Sequence, residues 1–231
     1  MTEGAVLTLE SVTVTAGAAY EYGLAEVSFS LAAGECILIR LESGMHNWAL
    51  GDLAQGLAAP EAGRVLFEGR DWLSLSPDEA AAARARIGRV YERSLWISNL
   101  DVDENIRLGS RHHTNRPEEE IEAEAIRLAR MFGLEDLPRA RPARVRSRDL
   151  RTADWIRALL GERALLLLER PMREAYAERG ALLATAARAA REKGAAVIWL
   201  QGPGDPDILK TLEPDRVYAV AGERLSPVER M

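Results

Sequence analysis

The 231-residue chain reads as an α/β domain, and three stretches carry that reading. Cys36 to Ile39 is a short, β-rich apolar run; a glycine-bearing turn, a helix-like segment from Gly51 to Leu57 and a second strand from Arg64 to Glu68 follow it. A strand, loop and helix in that order form the kind of unit that binds phosphates. Val6 to Val14 and Leu24 to Leu31 alternate apolar and polar side chains, the pattern of two half-exposed antiparallel strands. Pro117 to Gly133 opens on proline and three glutamates, places Ile121, Ala125, Leu128 and Phe132 at helical spacing, and closes on glycine.

Composition narrows the class. A hydrophobic content of 47% is ample for a full core. The longest apolar runs, such as Ala164 to Leu168 and Ala195 to Leu200, fall far short of the roughly 20 residues of a membrane span. The opening MTEGAVLTLE lacks the basic-then-apolar order of a signal peptide. A net charge of −6 argues against a nucleic-acid partner, whose phosphates call for a basic surface. The single cysteine, Cys36, lies in a core strand, which excludes an internal disulfide and fits a reducing cytosol. Lys193 and Lys210 are the only lysines, so no register of the loop after Ile39 supplies a phosphate-binding lysine.

The remaining elements follow in order. Ser76 caps and Pro77 starts a helix with acidic residues in its first turn. His112 and His113 lack the spacing of metal ligands and are expected in a solvated loop. Arg139, Arg141, Arg144, Arg146, Arg148 and Arg151 surround a lone Asp149; this is a solvated loop, or a surface facing phosphates or an acidic face of a partner. A helix with Leu182, Leu183, Ala186, Ala187 and Ala190 on one face precedes Gly194 and a strand from Ala195 to Leu200. Arg216 to Val220 and Glu223 to Ser226 form a closing hairpin.

With Gly34-Glu35 ahead of the strand, Ser43-Gly44 in the loop and GRVLFEG over 63–69, the chain resembles the ATP-binding domain of ABC transporters, and the resemblance runs from Val6 to Ser226. It implies a P-loop NTPase-like ABC ATPase fold: one domain over 1–231, with an antiparallel β subdomain, a mainly parallel core sheet and a helical subdomain at about residues 93–156. The family's Walker A motif, which cradles triphosphate and magnesium, falls on Leu41, Glu42, Ser43, Gly44, Met45, His46, Asn47 and Trp48. Asn47 stands at the lysine and Trp48 at the magnesium-binding hydroxyl. The adenine-stacking aromatic position falls on Ala16, with Tyr20 or Tyr22 within reach of the same place.

The later motifs diverge in the same way. Leu100, Val102, Glu104, Asn105 and Ile106 keep the second half of the family's Q-loop stretch, whereas Glu92 replaces its glutamine. The resemblance implies that Tyr91, Leu95, Trp96 and Ile97 line the groove that receives a helix of the membrane subunit; the alternative is that they close the core under a loop. Val145, Arg146, Ser147, Arg148 and Asp149 fall on the glycine-containing signature. ALLLLERP over 164–171 resembles Walker B, with Glu169 for the aspartate and Arg170 for the glutamate that polarises water. An arginine stays protonated and is no general base at neutral pH; Arg170 is expected to pair with Glu169 or Glu42. Met172 to Tyr176 cover the D-loop without its aspartate, and Gly202 takes the place of the switch histidine.

The resemblance therefore implies a degenerate ABC-type subunit, a pseudo-ATPase that docks on a membrane-spanning subunit at the cytoplasmic face of the inner or plasma membrane. It would pair with a homologous ATPase or with itself. ATP and magnesium enter only through the resemblance; no cofactor, metal or catalytic residue is expected to act. The alternatives are hydrolysis through an atypical site and a soluble regulatory pseudo-ATPase.

Overall fold

A computed structural model of the chain describes residues 4–46, 48–173, 175, 179–203 and 208–228. Strands β1 (Ala5–Val14), β2 (Leu24–Ala32), β4 (Ala62–Phe67) and β5 (Arg70–Asp71) form an antiparallel sheet in the order β2-β1-β4-β5. Strands β3 (Cys36–Arg40), β6 (Ile87–Val90), β7 (Leu165–Glu169), β8 (Ala196–Gln201), β9 (Arg216–Ala221) and β10 (Arg224–Pro227) form the second, in the order β10-β9-β3-β8-β7-β6. Within it β3, β6, β7, β8 and β9 pair in parallel, and β10 returns antiparallel on β9 as the closing hairpin.

The central strands β3, β7 and β8 are apolar nearly to their ends because both faces are covered. On β3, Ile37 and Ile39 join the apolar cluster shared with the antiparallel sheet, whereas Cys36 and Leu38 join the cluster beneath the helices. Leu165 and Leu167 alternate with Leu166 and Leu168 in the same way on β7, and Ile198 with Trp199 on β8. Cys36 is fully buried and its thiol is pushed up to about 12 by that burial, so it packs rather than reacts.

The helices are α1 (Leu50–Ala54), α2 (Pro77–Ala85), α3 (Val102–His113), α4 (Glu118–Met131), α5 (Ser147–Leu159), α6 (Gly180–Glu192) and α7 (Leu209–Leu212). Ser76 and Glu79 make a reciprocal capping box on α2, and Asp101 and Glu104 make another on α3. Trp155 of α5 and Phe132, just beyond α4, meet edge-to-face at 5.4 Å between ring centroids and anchor the helical layer.

Three expectations change. The helix expected over 51–57 is only the five residues of α1, because Gly56 turns to φ +63° with the Trp72 indole against its Cα. His112 and His113 end α3 as exposed helical residues instead of lying in a loop. On α6, Ala184 takes the buried place beside Leu183, and Leu182 faces solvent.

Gly88 of β6 packs so closely on the C-terminal turn of α5 that an added Cβ would strike the Ala158 carbonyl. Gly88→Ala is expected to lower unfolding free energy by about 1–3 kcal/mol, read as a lower urea midpoint with an unchanged slope.

Candidate functional site

The loop after β3 is held by its apolar members. Met45 and Trp48 are buried; Trp48 Nε1 donates to the Gly23 carbonyl at 3.1 Å, and the Trp48 backbone bridges Tyr22. Ser43 and Gly44 stay exposed, Gly44 at φ +78°, and Tyr22 donates its hydroxyl to the Gly44 carbonyl at 3.2 Å. Tyr20 donates to Asp52 Oδ2 at 2.9 Å, and burial followed by that bond pushes its phenol up to about 12. Tyr22 thus bonds to the loop and Tyr20 to α1, while Ala16 is exposed. Asn47 lies outside the described residues, as does Tyr176.

Beneath the loop lies a residue that no motif singled out. Arg89 of β6 is buried and spans the gap between α1 and β7: Nη1 donates to Asp52 Oδ1 at 2.6 Å and Gln55 Oε1 at 3.1 Å, and Nε donates to Glu169 Oε1 at 2.9 Å. Its guanidinium lies 4.2 Å from the Tyr91 ring centroid. Burial works against the charge of Arg89, but Glu169, Tyr91 and Asp52 hold it protonated. Burial also pushes the Glu169 carboxyl above the ordinary range, against the pull of Arg89. Gly51 makes this packing possible, because a Cβ there would collide with Glu169 and Arg89. The one sequence signal for Arg89 was an arginine inside the apolar strand IGRV.

Around Glu92 three loops meet. One carboxylate oxygen, Oε1, receives His46 Nδ1, Arg170 Nη1 at 3.2 Å and Arg173 Nη1 at 2.8 Å. Arg170 therefore pairs with Glu92, not with Glu169 or Glu42 as expected; Glu169 is taken by Arg89, and Glu42 accepts the Gly222 N–H at 3.1 Å. Arg170 sits at φ +42°, its Nε is buried without a hydrogen-bond partner among the described residues, and Gly202 packs on its guanidinium where a Cβ would clash. Walker A-like His46, Q-loop Glu92, Walker B-like Arg170 and switch-position Gly202 are thus brought together, and Arg173 was missed.

The signature-position residues lie apart from that cluster. Arg146 precedes α5, Ser147 and Arg148 are exposed, and Val145 and Asp149 are half-buried, with Asp149 facing Arg179 Nη1 at 3.3 Å. The arginine-rich segment is not uniformly solvated as expected. Arg151 is buried and donates to the carbonyls of Tyr91 and Glu92, both at 2.7 Å, because its helix turns that face inward.

Arg151 begins a gripping face. Asp154, one turn on, accepts the Ser94 hydroxyl; Arg157 donates to the Leu95 carbonyl at 2.5 Å and lies 4.6 Å from the Trp96 ring centroid. Burial pushes the Asp154 carboxyl up, and Arg157, Ser94 and Arg151 oppose it. Of the four groove residues, Tyr91 and Trp96 are half-buried against arginines, whereas Leu95 and Ile97 stand 55% and 45% exposed.

No family model matches the chain. It is 31% identical over 201 residues to a ribose import ATP-binding protein of Streptomyces avermitilis, covering 84% of this chain and 38% of that protein. It is 30% identical over 141 residues to a methionine import ATP-binding protein of Rhizobium johnstonii, covering 61% of this chain and 39% of that one. The chain thus spans about two fifths of the length of these relatives. Among solved structures, dimeric MJ0796, a bacterial ABC transporter cassette, superposes with a TM-score of 0.81 at 20% identity, covering 95% of this chain and 96% of that one. The fold is that of an ATP-binding cassette. By homology and by fold, the chain belongs to the ABC-transporter ATP-binding domains.

Removing Arg89 leaves two carboxylates around an empty place. Arg89→Met is expected to cost about 3–5 kcal/mol at neutral pH. Without its cation the folded Glu169 carboxyl rises further above its unfolded value; the native state then binds a proton that the unfolded chain releases, so stability falls as pH rises through that interval. Urea melts at pH 5 and pH 8 should show the larger penalty at pH 8, and Glu169→Gln in the same background should flatten the difference.

Proposed function

We propose that the chain is a pseudo-ATPase subunit of an ABC-type transporter, acting as one cassette over 1–231 with a helical subdomain at about 93–156 that contains most of α3 to α5. The observation that carries the proposal is the internal neutralisation of the site: Arg89 engages Glu169, and Glu92 engages Arg170 and Arg173. The residues do not fit magnesium-ATP. Trp48 offers an indole bonded to Gly23 where a hydroxyl would bind the metal, Glu169 is committed to a guanidinium, and Arg170 has no basic lone pair for a water. Phosphoryl transfer depends on positioned charge around the phosphates, and these substitutions remove it together.

Its partners are a membrane-spanning subunit and a homologous ATPase or a second copy. The relatives named above are import ATP-binding proteins, which supports a place in an import system on the cytoplasmic face of the membrane. Among the described residues no helix is long and apolar enough to cross a membrane. The exposed Leu95 and Ile97, on a segment gripped by α5, suit a helix laid across them.

Purified chain should show no ATP turnover above a buffer blank and no saturable binding of a fluorescent ATP analogue; hydrolysis that Glu169→Gln abolishes would overturn the pseudo-ATPase reading. Leu95→Asp with Ile97→Asp should leave the melting temperature within about 2 °C and abolish co-purification with the membrane subunit. Retained co-purification would remove the groove from the interface.

A further inference from the structure

We infer that Asn105 of α3 is a positioning residue of the proposed docking surface: it clamps the backbone at Ile97 so that Leu95 and Ile97 stand out as a preformed apolar pair, and the strength of docking depends on this side chain although it lies beneath the surface. The inference rests on the reading above that a helix of the membrane-spanning subunit lies across that pair.

Residues 91–101 join β6 to α3 with neither helix nor strand of their own, so their course is left to side chains of the neighbouring elements. Asn105 is 4% exposed and meets Ile97 as a strand partner would. Ile97 N–H donates to Asn105 Oδ1 at 2.9 Å, and Asn105 Nδ2 donates back to the Ile97 carbonyl at 3.1 Å. The same nitrogen reaches the carbonyls of Leu100 and Asp101 at 3.3 and 3.0 Å, and Leu100 N–H closes a turn on the Ile97 carbonyl at 3.1 Å. One buried amide thus satisfies both polar groups of the Ile97 backbone. Only the Ile97 side chain is left to face outward.

The other half of the segment is fixed from α5. Arg151 holds the carbonyls of Tyr91 and Glu92, and Arg157 holds that of Leu95. The Ser94 hydroxyl donates to Asp154, a fully buried carboxylate that Arg157 Nη2 meets at 2.7 Å. Between the two outward residues, Trp96 turns in against the apolar cluster of the helical layer. Ordering a loose loop on association weakens binding; a segment fixed at both ends avoids that loss. Asn105 is the sole side chain bonded to the backbone of Ile97 among the described residues, so it decides whether the outer half of the pair is preformed.

Amide hydrogen exchange on the intact chain tests this with Asn105→Leu, which removes the amide at similar size. Ile97 and Leu100 should exchange at least about tenfold faster, while amides of α4 and β8 keep their wild-type rates. With Leu95 and Ile97 untouched, the yield of membrane subunit co-purified with the variant should also fall about tenfold. Unchanged exchange at Ile97, or a rise shared equally by α4 and β8, overturns the inference. So does undiminished co-purification of Asn105→Leu under conditions where Leu95→Asp with Ile97→Asp abolishes it. Should Asn105→Leu not fold, Asn105→Asp keeps the acceptor for Ile97 N–H but loses the donor, and the same rise is expected at Leu100; an unchanged rate there is equally contrary. Co-purification that survives Leu95→Asp with Ile97→Asp removes the docking reading itself, and exchange at Ile97 still reports whether Asn105 clamps the segment.

Discussion

A guanidinium buried between a helix and a strand organises this molecule. Desolvating Arg89 costs several kcal/mol unless its charge and donors are met, and the structure meets them with Glu169, Asp52, Gln55 and the face of Tyr91. That requirement reaches outward. It demands glycine at position 51, where any side chain would strike the pair, and it draws α1 against β7. The Glu169 carboxylate is consequently a structural partner of this chain's own cation.

The second ion cluster continues that logic at the surface. With Glu169 engaged below, the arginines after β7 turn to Glu92, which ties the loops following β3, β6 and β7 at one oxygen. Glu92 also begins the segment that α5 grips through Arg151, Asp154 and Arg157. Helical spacing of 3 residues sets those three side chains along one face, and each meets the next part of the segment in turn. The apolar tips of Leu95 and Ile97 are therefore presented by a braced backbone.

The stability of the cassette fold comes from elsewhere than these ion clusters. Strands β3, β7 and β8 bury both faces, and Trp155 with Phe132 closes the helical layer. Burial at about 25 cal/mol per Å² of apolar surface dominates folding, so loop residues can differ between relatives while the core holds the same architecture. An overlap of 95% with a solved cassette at only 20% identity reflects that separation of core from loops.

Local patterning made most of the architecture readable in advance. Alternation in β1 and β2, the Ser76 cap and the 117–133 helix pattern each depend on neighbours a few residues apart. The length of α1 was misread because Gly56 answers to Trp72, which packs on it from outside the helix. Charge partners were not legible at all: Arg89 lies 80 residues from Glu169 and 37 from Asp52, and Arg173 lies 81 from Glu92. Periodicity is written along the chain, whereas the choice of carboxylate for each arginine is made by which loops the parallel sheet brings to one edge. That is why the family could be recognised from the sequence, yet the pairing of Arg89, Glu169, Glu92, Arg170 and Arg173 came only with the folded arrangement.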